Sequence, residues 1–178
     1  RSERYMTLDP VAVRNLELVK SNAENKKYGS LLWLLDRTAT GMGARLLNEM
    51  VLSPLSEKED IEYRLDGVEE LVEGTVVRLG IAEALKEIRD VERLAGKISN
   101  GNLTPRDCLA LAASLRAVPA LKFRLSGFSS AALKDVDAGL HDMKEIYELL
   151  DRAIDPQASA ATKDGGYIRA GYSAELDE

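Results

Sequence analysis

Apolar residues recurring three and four positions apart constrain this chain more than any other feature. Ile61, Leu65, Val68, Leu71 and Val72 keep that spacing, as do Ile81, Leu85, Ile88, Val91, Leu94 and Ile98, and again Leu133, Val136, Leu140, Met143, Ile146, Leu150 and Ile154. At about 3.6 residues per turn each set lies along one stripe of a helix, and a strand would instead alternate in twos. Loops of a few residues between such stripes make the helices antiparallel neighbours. The expected fold class is therefore all-α, a multi-helix bundle.

Punctuation sets the expected boundaries. Tyr5 to Leu8 reads as a short extended entry. Asp9-Pro10 reads as an N-cap with proline at the first helical position, opening a short helix to about Leu16. Leu31 to Leu35 is apolar nearly all round and is expected to be deeply buried, followed by a second buried helix over Met42 to Leu52 that Ser53-Pro54 ends. Ser56 and Glu59 have the spacing of a capping box, and Gly74 suits the end of the helix they open. The stretch Val76 to Ser99 reads as one helix or two, Asn100-Gly101-Asn102 as a turn, and Thr104-Pro105 as the next cap, ahead of a buried stripe of Cys108, Leu111, Ala112, Leu115 and Val118. The final long stripe reads as one long helix or a pair broken near Gly139. After Asp155-Pro156 the pattern changes: Asp164-Gly165 between β-prone residues predicts a small β-hairpin near the C-terminus, and Ser173 the cap of a helix that the chain end cuts off. The expected domain organisation is a single helical domain over residues 1–178, with a connector over about 1–28, a bundle over about 29–155, and the hairpin and truncated helix over about 162–178.

Composition limits function. Of 178 residues, 45% are hydrophobic and 30% charged, which suits a packed core and not a disordered chain. Aromatics are only 5%, so the core must be built from aliphatic side chains. The formal net charge of −6 argues against a module that holds duplex DNA unaided, because phosphate neutralisation supplies most non-specific affinity. No apolar run is long enough to span a membrane, and no signal peptide is visible. The start at Arg1-Ser2 without Met suggests a piece of something longer. A single cysteine, Cys108, excludes an internal disulfide and agrees with a cytoplasmic setting.

No set of residues converges on chemistry. Gly41-Met42-Gly43 lacks the third glycine of a dinucleotide fingerprint and the preceding strand, and is read as letting two buried helices approach closely. Gly96-Lys97-Ile98-Ser99 departs from a phosphate loop, with Ile98 after the lysine and Val91 where the first glycine belongs. His141, the only histidine, has Asp142 beside it but no ligand set, and is read as solvated. Cys108 is read as an inert core thiol. Glu69-Glu70 and Asp135/Asp137 are read as acidic helix faces. Asp90, Glu92, Arg93, Arg106 and Asp107 are read as ion pairs bracing neighbouring helices, with an interface to another domain as the other possibility. No catalytic, cofactor-binding or metal-ligating residue is assigned.

Four blocks carry a resemblance. They are Tyr5-Met6-Thr7-Leu8-Asp9 with Arg14-Asn15-Leu16-Glu17-Leu18, and Gly29 to Leu47 closed by Ser53-Pro54-Leu55. Then come Ile88-Arg89-Asp90-Val91-Glu92-Arg93-Leu94 with Pro105-Arg106-Asp107, and Asp164 to Glu178. Within the second, Leu35-Asp36-Arg37-Thr38-Ala39-Thr40-Gly41-Met42-Gly43-Ala44-Arg45-Leu46-Leu47 resembles the MutS family's run L-D-x-T-x-T-x-M-G-x-R-x-L. The blocks stand in the family's order over nearly the whole chain, and Met50 departs where many members carry an aromatic residue. The resemblance is to the core (lever, domain III) region of that DNA mismatch repair family, up to the point where its DNA clamp is inserted.

The resemblance implies a bundle that transmits conformational change between an ATPase domain and DNA-contacting domains. It implies no enzyme activity or cofactor here, with ATP and Mg in the parent's ATPase domain, and mismatched duplex DNA and a second parent subunit as partners. The family's Phe-x-Glu mismatch motif and Walker motifs are absent from these residues. Two other readings stay open: the core of a MutS-like recombination-associated protein, and an unrelated helical interaction scaffold. The chain by itself is expected neither to bind duplex DNA tightly nor to hydrolyse ATP.

Overall fold

The computed structural model describes residues 4–157, 163 and 165–177. Among these residues ten helices follow one another: α1 (Pro10–Asn15), α2 (Leu31–Leu35), α3 (Gly41–Leu52), α4 (Lys58–Glu73), α5 (Thr75–Lys86), α6 (Val91–Ser99), α7 (Pro105–Leu125), α8 (Ala131–Gly139), α9 (Lys144–Ala153) and α10 (Ala174–Asp177). The all-α class read from periodicity holds. Among the described residues there is no sheet, only two isolated antiparallel bridges, Tyr5 with Leu55 and Ile154 with Ile168. No helix among them is long and apolar enough to cross a membrane. The chain divides into two compact units, residues 1–79 with 128–135, and residues 80–127 with 136–178.

In the first unit, local capping defines the early helices. Asp9 Oδ1 accepts the Ala12 N–H at 2.7 Å, Pro10 supplies a preset φ, and α1 ends where Glu17 turns left-handed at φ 49°. The following loop folds back, so that the Leu31 and Leu32 N–H groups donate to the Glu17 and Leu18 carbonyls and Leu18 becomes buried. Ser30 then caps α2. Leu31 to Leu35 is not deeply buried as its composition suggests: only Leu32 is, and Leu34 stays 58% exposed. A five-residue helix has little more than one turn, and only one side of it meets this unit's interior. For the same reason of one-sided packing, α3 forms where expected but buries no residue fully.

The entry segment is extended, as expected, because Tyr5 bridges Leu55: Met6 N–H donates to the Pro54 carbonyl and Ser56 N–H to the Arg4 carbonyl. That pairing displaces the anticipated capping box. The cap position of α4 falls to Glu57, which makes no side-chain cap bond, and the Ser56 hydroxyl lies against Glu57 Oε1 at 3.4 Å. Arg4 forks onto Asp60, with its Nε and Nη2 2.5 and 2.7 Å from the two carboxylate oxygens. One face of α4 seats the segment 128–135. A Cβ on Gly67 would lie 3.2 Å from that of Ala132, so only glycine gives room for this approach without a shift.

The second unit is organised by α7. Its start is a complete capping box: Thr104 Oγ1 accepts the Asp107 N–H at 3.2 Å while Asp107 Oδ2 accepts the Thr104 N–H at 3.0 Å. From the expected stripe Leu111 and Ala112 are buried, with Cys108, Leu115 and Val118 half-buried. The helix runs on to Leu125 through Pro119, which has no N–H to return to the Leu115 carbonyl. α9 is its main neighbour, with α6 beside it. The long apolar stripes do break: the first over residues 87–90, a position the sequence did not point to, and the last after Gly139, the second of the two readings it offered.

The expected hairpin does not form. Asp164 of its expected turn and Thr162 of its first arm lie outside the described residues, but the pairing of its second arm is clear. Asp155 N–H donates to the Tyr167 carbonyl and Arg169 N–H to the Ala153 carbonyl. Ile168 thus bridges Ile154 at the end of α9, where helix termination leaves backbone groups in need of partners, and not a facing local strand. Tyr167 and Ile168 close over Ala153 and Ile154 together with Cys108 and Leu109.

Candidate functional site

Each group singled out in the sequence has an identifiable place. Thr40 Oγ1 accepts the Gly43 N–H at 3.0 Å and caps α3. The close approach that Gly43 permits is to the Thr38–Thr40 turn, where a Cβ would meet Thr40 Oγ1 at 3.2 Å, and not to a second buried helix. Gly96 is inside α6 with nothing within 4 Å of the position a Cβ would take, and Lys97 is engaged by Asp107, so that segment forms no phosphate loop. His141 is exposed in the link between α8 and α9, not on a helix. Burial, and secondarily the Asp107 charge, pushes the Cys108 thiol pKa up, which disfavours the reactive thiolate.

The acidic pairs are taken apart by their partners. Tyr63 Oη donates to Asp135 Oδ2 at 2.6 Å. Lys122 Nζ donates to the Asp137 carbonyl at 2.5 Å and to its Oδ1 at 3.2 Å. Glu70 Oε1 accepts the Ser129 hydroxyl at 2.6 Å and its N–H at 2.7 Å, while Oε2 accepts the Ser130 N–H at 2.8 Å. The donors on Ser129, then those on Ser130, pull the Glu70 carboxyl down to about 2. A carboxylate so held is a fixed acceptor and not a proton carrier at neutral pH.

In the second unit the charged residues brace helix to helix. Both oxygens of Asp107 on α7 accept from Lys97 Nζ on α6 at 2.8 Å. Arg116 of α7 pairs with Asp151 of α9, and its guanidinium lies 5.9 Å from the centre of the Tyr147 ring. Asp90 Oδ1 caps α6 by accepting the Arg93 N–H at 3.2 Å. Sequence reasoning missed the most enclosed of these links. Ser114, with no exposed surface, donates to the Ala110 carbonyl at 2.8 Å and accepts the Arg89 N–H at 2.9 Å. Its signal was a small polar residue three positions after Leu111, on the stripe itself.

Among the described residues no three His, Cys, Asp or Glu side chains gather to hold a metal ion. The clefts are open, such as one of about 480 Å³ beside α1 lined by Leu8, Val13, Arg14 and Lys20, and the fixed charges point at neighbouring helices. What the residues build is a set of polar clamps between helices.

Comparison with known proteins places that scaffold. The family profile for MutS domain III matches residues 11–177. The chain belongs to the MutS family. It is 43% identical over 174 residues to the DNA mismatch repair protein MutS of Caldanaerobacter subterraneus subsp. tengcongensis, covering 98% of this chain and 20% of the relative. The proteins of that name from Clostridium perfringens and Chlorobium phaeobacteroides are 41% and 42% identical, again over 98% of this chain and 19% and 20% of their own length. The chain therefore spans about a fifth of the length of these MutS relatives. The clamps described above belong to a MutS domain III, and the resemblance in the four sequence blocks is confirmed by it.

Proposed function

We propose that this MutS domain III is the lever of a DNA mismatch repair ATPase. It passes conformational change between an ATPase domain and the domains that hold DNA, all of them outside these 178 residues. The parent would hydrolyse ATP with Mg in that ATPase domain, contact mismatched duplex DNA through its clamp and mismatch-reading parts, work as a homodimer and reside in the cytoplasm. The relatives' name supports the repair assignment.

The observation that carries the mechanical role is α7. At 21 residues it is roughly 30 Å long, and it is tied to α6 through Lys97–Asp107 and to α9 through Arg116–Asp151. A stiff element braced on two sides transmits displacement to its ends because packed interfaces move between discrete arrangements and do not stretch.

The test uses the full-length parent with α7 softened at its solvent side by Ala113→Gly and Ala120→Gly, both at exposed positions. ATP hydrolysis without DNA and mismatch binding without nucleotide should both persist. The factor by which ATP changes DNA affinity should fall about fivefold or more. Full coupling in the softened protein would refute the lever role.

A further inference from the structure

Among the described residues, one face of helix α4 is left largely exposed. Successive residues turn by about 100°, which places Ile61, Leu65, Val68 and Val72 within roughly 60° of arc. They are 39%, 56%, 53% and 60% exposed. The helix is not short of packing, because its other side holds Arg4 through Asp60, Asp135 through Tyr63, Ala132 over Gly67, and Ser129 through Glu70. The apolar stripe points away from that engaged side, and Val76 at the start of α5 adds an 84% exposed valine beyond it. A bare stripe of this length on one helix is characteristic of a buried contact.

Charge indicates what covers it. By the same rotation Glu62, Asp66, Glu69 and Glu73 form a second ridge along one edge of the stripe. Lys58 answers Glu62 at 3.2 Å, but among the described residues no cation pairs with Asp66, Glu69 or Glu73. Over α4 as a whole, seven acidic residues stand against Lys58 and Arg64. A second copy of α4 would bring acid against acid. A helix with an apolar stripe bordered by lysine or arginine would satisfy both the stripe and the ridge. The relatives are about five times longer than this chain, so most of the polypeptide available to fill the face lies elsewhere in the same protein.

We propose that the Ile61–Leu65–Val68–Val72 face of α4 docks an amphipathic helix with a basic edge, supplied by a part of the same polypeptide outside these 178 residues. This does not depend on the lever reading, since a static scaffold would need the same contact.

The probe is a set of overlapping fluorescein-labelled peptides that tile the rest of the native reading frame, titrated into the 178-residue protein by anisotropy. A tile with a basic edge should bind. Its Kd should rise roughly tenfold or more for Leu65→Asp, because one buried leucine carries that much affinity. The charge-reversed pair Glu69→Lys with Glu73→Lys should also weaken it, and added salt should do the same to the original protein. Hydrogen exchange on the unaltered chain gives a readout free of any variant: amides of α4 should slow when the tile is bound. The proposal is overturned if no tile binds, if the bound tile has an acidic edge, or if binding ignores Leu65→Asp. It is equally overturned if sedimentation without peptide shows a dimer that Leu65→Asp dissolves, which would make a second copy the occupant.

Discussion

The Glu70 carboxylate of α4 receives both the hydroxyl and the backbone N–H of Ser129, a residue 59 positions later in the chain. With Ser130 N–H on its other oxygen, Glu70 seats the start of α8 on α4. The donors of Ser129 and then Ser130 hold its carboxyl near 2, against an ordinary 4.5. A carboxyl depressed by folding contributes stability that is fully present above its unfolded pKa and is lost as pH falls through its folded one. Thermal melts of the original protein and of Glu70→Gln should therefore differ most above pH 4.5, and the gap should close as the pH approaches 2. A gap that stays constant over that interval would show that the charge on Glu70 is irrelevant to the seating.

Ser114 serves two backbone groups from a position with no solvent access. Ser114→Ala leaves the Arg89 N–H without its acceptor at the break between α5 and α6. The expected loss is about 1–3 kcal/mol in denaturant unfolding, with an unchanged denaturant slope. A loss under about 0.5 kcal/mol, the range of an ordinary surface substitution, would mean that water replaces the hydroxyl without cost.

Gly96 is the reverse case. It sits inside α6 with open space around it and no left-handed backbone angle. Gly96→Ala should raise stability by about 0.5–1 kcal/mol through helix propensity and the lost freedom of the unfolded chain, or roughly 1–4 °C in Tm. An unchanged or lower Tm would show that the position is needed bare for a reason outside this chain.

Thr104 closes a capping box with Asp107, and Asp107 also holds Lys97. Thr104→Ala should cost about 1 kcal/mol, while Asp107→Asn should cost more, because it weakens the cap and the α6–α7 brace together. Equal effects of the two changes, by the same denaturant measurement, would place all of the energy in the cap.

Legibility in the sequence followed how local the determining physics was. Asp9 and Thr104 announce their helices because a cap needs only a side chain and the next turn. The break after Gly139 was legible as one of two readings, whereas the position of the one over residues 87–90 was not. Ser56 misled because its backbone N–H is taken by Arg4, across a distance no short window contains. The hairpin misled because the better partner for Ile168 was the end of α9, fourteen residues back and invisible to a turn rule. The α4 stripe was read correctly as a helical stripe, but what packs on it was not legible, since periodicity reports that a face is apolar without saying who covers it. Of the polar clamps, the bracing role of Asp107 was legible, whereas Ser114 and the Glu70 seat depend on tertiary placement.

Pro119 gives α7 a last property. The helix continues through it, but the Leu115 carbonyl has no N–H four residues on to receive. A cylinder missing one longitudinal tie yields more readily toward one side than toward the others, and proline is the usual origin of sharp bends in helices. α7 is therefore an anisotropic spring: it resists compression along its length while favouring a single plane of flexure.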